Sequence, residues 1–464
     1  MVQFHVSVVS SPLRIALLSY RSKPHCGGQG VYVRHLSREL AALGHRVEVF
    51  SGQPYPELDP GPVLREIPSL DLYREPDPFR TPDRSEIRDW ADALETAMMW
   101  GGAFPEPLTF SVRALRALRL RPHAFDVVHD NQGLGYGMLG VRSLGLPLVT
   151  SIHHPISVDR RIDIESSGLL ESISKRRWYG FVRMQARVAR RLAREGSPII
   201  TVSESSKSDI CRDFQISPDN VATVPLGVDT RVFHPRDISR VPGRIVTVSS
   251  ADSPLKGLPT LLHAVAKLVT EWDIHLIVVG KPSEQTLKLA AELSDRITFQ
   301  HSLSDPEYAD LLASAEIAVV PSIYEGFSLP AVEHMASGTP LIVSRAGALP
   351  EVTGDAAVQV TPGDAEELAD ALRRLLDSPS QRQLLAGRGL LRVGERYAWP
   401  AVAAATVSHY RAAMAATRPR SLPAARRDAE AWMPHRRPST AVNDSSMPFA
   451  DAETVADAEP AAPC

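Results

Sequence analysis

Short runs of β-branched and aliphatic residues alternate along the chain with longer stretches whose apolar positions recur at helical spacing. A strand buried on both faces reads as a continuous apolar run, so this alternation predicts parallel sheets covered by helices. In the first half the predicted strands are 14–19, 46–50, 126–129, 146–152, 199–202 and 221–224. In the second half they are 244–248, 274–279, 296–299, 316–320, 340–344 and 357–360. Two such sets predict two doubly wound α/β units.

Punctuation within the pattern sets the expected organisation. His-Pro-Arg-Asp and Val-Pro-Gly interrupt it over 233–242, which places a first domain at 1–235 and a second at 240–395. A stretch rich in Pro, Asp and Arg over 54–107 is expected to be an insertion over the first domain. A last helix, 396–416, is expected to pass back across the join. Beyond it, over 418–464, Ala, Pro and Arg give way to Asp and Glu with few aliphatic residues, the composition of a disordered tail.

Composition narrows the function classes. The 464 residues are 44% hydrophobic and 23% charged, as in a globular protein, and the length calls for more than one core. A net charge of −3 argues against a nucleic-acid partner for the whole molecule. Three scattered cysteines, Cys26, Cys211 and Cys464, suggest a reducing compartment. The first twelve residues lack the pattern of a signal peptide, and no run approaches the ~20 apolar residues of a membrane span. A cytoplasmic protein is expected, with peripheral contact to the inner face of a membrane left open.

The chemistry concentrates between residues 324 and 338, which read Tyr-Glu-Gly-Phe-Ser-Leu-Pro-Ala-Val-Glu-His-Met-Ala-Ser-Gly straight after a predicted strand. Pro330 suits the first turn of a helix and Gly338 its end. That helix would start at the carboxyl edge of a parallel sheet, where its free N–H groups favour phosphate. Gly326 lets the backbone approach a ligand, and Glu325 and Glu333 are placed to accept hydrogen bonds from hydroxyl groups. A single acidic residue near a helix start is usually only a partner of the helix dipole. Two of them flanking a phosphate-binding terminus suit a sugar diphosphonucleoside.

Glu325 and Glu333 also form an E-x7-E signature, followed by Gly338-Thr-Pro-Leu-Ile-Val343 and Gly347-Ala-Leu-Pro-Glu351. Upstream stand Gly27-Gly-Gln-Gly-Val-Tyr-Val-Arg-His-Leu36, Thr201-Val-Ser-Glu-Ser205 and Val224-Pro-Leu-Gly-Val-Asp229, with Phe233 and Pro235. In these ordered motifs the chain, to about Ala415, resembles the retaining family-4 glycosyltransferases of the GT-B fold. The resemblance implies two Rossmann-like domains facing across a cleft and transfer of a sugar from a nucleoside diphosphate to an acceptor hydroxyl with retained configuration. It implies that Glu333 holds the donor ribose, that Glu325 contacts the sugar, and that Gly326, Phe327, Ser328 and Leu329 meet sugar and diphosphate through the backbone. Lys256, in Pro254-Leu-Lys-Gly257, would neutralise the leaving diphosphate, as a positioned cation stabilises developing charge. The alternative for Lys256 is a solvated side chain before a helix. Where the family carries an arginine five residues earlier, this chain has Ala251. The diphosphate charge is then expected to fall on Lys256, backbone amides and Arg160 or Arg161.

In the first domain the resemblance places Gly28 over the donor diphosphate and His153 near the reacting sugar. His153 and His154 are adjacent, so in extended backbone only one faces the cleft; packing is the competing role for His153. His129 and Asn131, ending another strand, and Arg161 are candidates for the acceptor side. Cys26 beside the glycines is expected to be a small filler. The triplets and spacings of a metal site are missing from the sequence, so no metal and no cofactor beyond the nucleotide-sugar co-substrate are expected. The acceptor would be a glycan, a lipid or a small molecule. Base recognition is expected around His301 to Leu303. Residues 175–194 carry eight Lys or Arg and no acid, with Trp178, Phe181, Val182, Val188 and Leu192 between them. Such a helix could lie on anionic lipid or pack one face on the first sheet with its arginines solvated. Two other functions fit the same fold: a catalytically silent nucleotide-sugar-binding protein, which Ala251 motivates, and a sugar-nucleotide epimerase or hydrolase.

Overall fold

The structure is a computed structural model and describes residues 11–23, 28–74, 77–153, 155–165, 169–249, 254–293 and 295–417. Cys26, His154, Ala251 and the expected tail at 418–464 lie outside the described residues.

Thirteen strands form two all-parallel sheets. The first holds β1 (Arg14–Ser19), β2 (Arg46–Ser51), β3 (Val63–Glu66), β4 (Val127–Asn131), β5 (Leu148–Ile152), β6 (Ile199–Thr201) and β7 (Val221–Thr223), in the order β3-β2-β1-β4-β5-β6-β7. The second holds β8 (Arg244–Val248), β9 (His275–Val279), β10 (Ile297–Gln300), β11 (Ile317–Val320), β12 (Leu341–Ser344) and β13 (Ala357–Val360), in the order β10-β9-β8-β11-β12-β13. Both are doubly wound: the order reverses between β1 and β4 in one and between β8 and β11 in the other. Ligands bind at such reversals, outside the carboxyl ends of the strands.

Twelve of the thirteen strands fall where the apolar runs predict them. The exception, β3, lies inside the stretch expected to be an insertion, and it extends the first sheet by pairing Val63–Glu66 with Glu48–Ser51. An exposed edge strand has no need of a continuous apolar run, and β3 is exposed along most of its length.

Burial follows the same logic. The central strands β4, β5, β11 and β12 are buried at every residue. Helix Trp399–Ala416 buries Trp399, Val402, Val407 and Tyr410. It packs on helix Gly28–Ala42 and on β4 and β5, and Trp399 lies 5.9 Å from the Tyr32 ring and 5.3 Å from the His35 ring. The chain thus returns from the second sheet to complete the core of the first. Helix Gly180–Arg194 buries Phe181, Val182, Val188 and Leu192 against the first sheet, leaving Arg183, Arg187, Arg191 and Arg194 exposed. Among the described residues no helix is long and apolar enough to cross a membrane.

Candidate functional site

The carboxyl edges of the two sheets meet. Ser203 and Ser206, in the loop and helix after β6, both donate their hydroxyls to the carbonyl of Gly326 after β11, at 2.6 and 3.0 Å. Glu351 reaches back from the second domain and accepts the backbone N–H groups of Glu204 and Ser205, each at 3.0 Å. These are the first N–H groups of helix Glu204–Phe214, where a carboxylate is favoured by the helix dipole. Tyr324 donates its hydroxyl to Asp209 at 2.7 Å. The motifs around Ser203 and Glu351, distant in sequence, are therefore two sides of one seam.

Lys256 and Glu325 stand on either side of the reversal in the second sheet, one after β8 and the other after β11. Lys256 Nζ donates to Glu325 Oε1 at 2.8 Å, and Ser322 Oγ donates to the same oxygen at 2.8 Å. Two glycines make this approach possible. Gly257 has φ +67°, and a Cβ there would sit 2.0 Å from the Pro321 carbonyl oxygen. Gly347 has φ +52°, and its Cβ would sit 2.1 Å from the carbonyl oxygen of Glu325. A side chain at either position would push the two loops apart.

The loop then enters helix Leu329–Ala336 through Ser328, whose side chain accepts the Ala331 N–H. Ser328 has φ +85°, unfavourable for a residue with a side chain and held here by burial. Such retained strain is a mark of functional loops. Phe327 points inward against Tyr397, so only its backbone is available to a ligand. Four residues into the helix, half-buried Glu333 has its Oε2 under the hydroxyl of Tyr308, which donates at 3.0 Å. Desolvation pushes Glu333 up to about 7, opposed by the Tyr308 hydrogen bond. The sequence offers no signal for Tyr308, which comes from the preceding helix; Ser322, three residues before Glu325, is equally unremarkable in sequence.

On the first sheet, His153 Nε2 donates to Asn131 Oδ1 at 2.6 Å, and the His153 ring meets Tyr32 edge-on at 4.5 Å. Because that amide oxygen can only accept, the proton is on Nε2. Asn131 is buried, and its Nδ2 has no hydrogen-bond partner. His129 is not on the cleft wall. It is fully buried, with Nδ1 2.7 Å from the Tyr410 hydroxyl and Nε2 2.6 Å from Ser151 Oγ, and burial lowers its pKa to about 3. It therefore serves as a neutral packing link to the last helix. Arg161 is half-exposed and ion-paired with Asp213 at 3.1 Å, in a pocket of about 350 Å³ shared with Ser157, Arg160 and Arg176. Gly28 begins helix Gly28–Ala42. Among the described residues no group of three or more His, Cys, Asp or Glu side chains could hold a metal ion.

Comparison with known proteins covers nearly all of this architecture. Residues 26–232 match the model described as Glycosyltransferase Family 4, and residues 242–378 the model described as Glycosyl transferases group 1. An MMP alpha-(1->4)-mannosyltransferase of Mycolicibacterium hassiacum is 56% identical over 411 residues, covering 87% of this chain and 99% of that protein. A D-inositol 3-phosphate glycosyltransferase of Saccharomonospora viridis is 29% identical, covering 88% of this chain and 96% of that one. Sucrose-phosphate synthase from Thermosynechococcus elongatus has the same fold, with a TM-score of 0.65 at 24% identity over 87% of this chain and all of that one. WaaG, a glycosyltransferase involved in lipopolysaccharide biosynthesis, superimposes with a TM-score of 0.61 at 18% identity, over 85% and 99%.

Proposed function

Because the chain belongs to the family-4, group 1 glycosyltransferases and so works on nucleotide sugars, we propose that it transfers a mannosyl unit to a glycan hydroxyl. The linkage formed is α-(1→4), and the configuration is retained. The 56% identical relative, an alpha-(1->4)-mannosyltransferase, supports the sugar and the linkage. The observation that carries the chemistry is the meeting of Lys256 and Glu325 at the β8/β11 reversal, 2.8 Å apart.

Glu325 neutralises Lys256 through their 2.8 Å contact. An incoming diphosphate competes for the ammonium, and the transfer of Lys256 from carboxylate to phosphate frees Glu325 to accept a hydroxyl of the sugar. Glu333 accepts the ribose hydroxyls, and the start of helix Leu329–Ala336 faces the phosphates. The bond from the anomeric carbon to the phosphate oxygen breaks as Lys256 stabilises the charge on that oxygen. The acceptor hydroxyl attacks from the same face, and its proton passes to the departing phosphate. His153, oriented through Asn131, lines the face where the sugar sits. Arg161 is assigned no part in this step, since Asp213 already holds it.

A panel of GDP-mannose, UDP-glucose and ADP-glucose, each with and without an α-(1→4)-mannoside acceptor, tests the proposal. Nucleotide release that requires the acceptor and yields an α-linked product is expected. Tight donor binding without turnover would support a silent binding protein, and a β-linked product would remove retention.

A further inference from the structure

The loop that leaves β11 is held from both domains at once. On the side of its own domain, the Glu325 carbonyl accepts the Ala348 N–H at 2.9 Å. On the side of the first domain, Ser203 Oγ and Ser206 Oγ donate to the Gly326 carbonyl at 2.6 and 3.0 Å, one to each of its lone pairs. Both serines are buried, at 2% and 0% exposed, so water does not compete for these bonds.

Fixing that carbonyl also fixes what the same peptide presents on its other edge. The peptide is trans, so its N–H, which belongs to Phe327, points away from the two serines. Among the described residues the N–H groups of Gly326, Phe327 and Ser328 have no hydrogen-bond partner in the protein. Backbone donors in a largely buried loop are seldom left so, and such groups call for an explanation. Three in succession, ending at Ser328 with its φ of +85°, form a row of donors suited to an anion. Were the Gly326 peptide to flip, its carbonyl oxygen would face that anion and repel it, while the Phe327 N–H would turn to the serines.

The domains do not need these two bonds to stay together. Glu351 holds the Glu204 and Ser205 N–H groups at 3.0 Å, and Tyr324 donates to Asp209 at 2.7 Å. Ser203 Oγ has a second task, accepting the Ser206 N–H at 2.9 Å as the cap of helix Glu204–Phe214. Capping needs only an acceptor, whereas holding Gly326 needs a proton to donate. We propose that Ser203 and Ser206 are positioning residues for the donor: they set the Gly326 peptide so that the N–H groups of 326–328 face the diphosphate. The first domain thereby shapes the donor loop of the second. The inference rests on the proposed role of this loop in holding a nucleotide sugar.

The test uses Ser206→Ala, Ser203→Asp and Ser203→Thr in the full chain. Ser206→Ala deletes one donor, Ser203→Asp keeps a cap but has no proton to give, and Ser203→Thr keeps both functions. Calorimetric titration with GDP-mannose, UDP-glucose and ADP-glucose reads donor binding, and initial rates with an α-(1→4)-mannoside read the acceptor KM. For the nucleotide sugar that the wild type binds, Ser206→Ala is expected to raise Kd about five- to tenfold, the effect of one lost hydrogen bond. Ser203→Asp raises it at least as much, and Ser203→Thr restores the wild-type value. The acceptor KM and the melting temperature stay as in the wild type; should Ser203→Asp not fold, Ser206→Ala alone decides. Wild-type Kd in Ser206→Ala, a loss in Ser203→Thr equal to that in Ser203→Asp, or parallel losses in donor Kd and acceptor KM would overturn the assignment. A wild type that binds a nucleotide sugar other than GDP-mannose, or binds one without turnover, would count against mannosyl transfer, leaving the positioning role supported if Ser206→Ala weakens that binding. No binding of any of the three would overturn both.

Discussion

Replacing Tyr308 by phenylalanine removes one hydroxyl and isolates the electrostatics of Glu333. In the wild type that hydroxyl donates to Glu333 Oε2 at 3.0 Å and favours its ionised form, against the desolvation that lifts the group to about 7. Losing the donor therefore raises the pKa further. A hydrogen bond to a charged group contributes about 1.5–3 kcal/mol. Water recovers part of that at a half-buried carboxylate, and a net ~1.4 kcal/mol corresponds to about one pKa unit. At about pH 7 the ionised fraction then falls from about a half to about a tenth. If, as proposed, ribose hydroxyls donate to the ionised carboxylate, the donor KM at about pH 7 rises about fivefold and returns toward the wild-type value near about pH 9. The assay is initial-rate kinetics at saturating acceptor, with donor varied across this pH range and kcat followed alongside. A KM ratio that is the same at every pH, or a loss confined to kcat, would refute the coupling of Tyr308 to Glu333.

Two further outcomes follow from the geometry. Lys256→Ala is expected to lower kcat by about two to three orders of magnitude while donor Kd changes much less, because in the proposed role the ammonium acts on charge that develops as the leaving group departs; steady-state turnover and donor titration of the same variant check this, and wild-type turnover would defeat the assignment. For helix Gly180–Arg194, whose apolar face is already buried in the core, any attachment to anionic vesicles is expected to be electrostatic and lost at about 1 M salt; co-sedimentation that survives such salt would mean that an apolar surface takes part.

Much of the fold was legible because both sheets are buried on two faces and their strands appear as uninterrupted apolar runs. What escaped was whatever depends on partners far apart in sequence. Strand β3 carries Arg65 and Glu66 on an open edge and offers no apolar run to read. His129, expected to end a strand and face the cleft, lies in the middle of β4, and Tyr410, 281 residues later, closes over it. In the second domain the candidate site was written into one segment, since a strand, a glycine and a proline within twenty residues specify a helix terminus and place two glutamates beside it. The partners of those glutamates were not, because Tyr308 and Lys256 reach them from other loops and helices through tertiary packing alone.

The return of helix Trp399–Ala416 to the first sheet bears on how the protein is made. Between the end of β7 at Thr223 and Trp399 a ribosome working at ~5–20 residues per second needs on the order of ten to thirty seconds. Throughout that interval the first sheet is present while the seat of Val402, Val407 and Tyr410 stands open as apolar surface, with His129 lacking its hydroxyl partner. The nascent first domain is thus held incomplete until the second has been synthesised, a window in which a chaperone has something to bind and a chain stalled before Trp399 carries the mark of its own incompleteness.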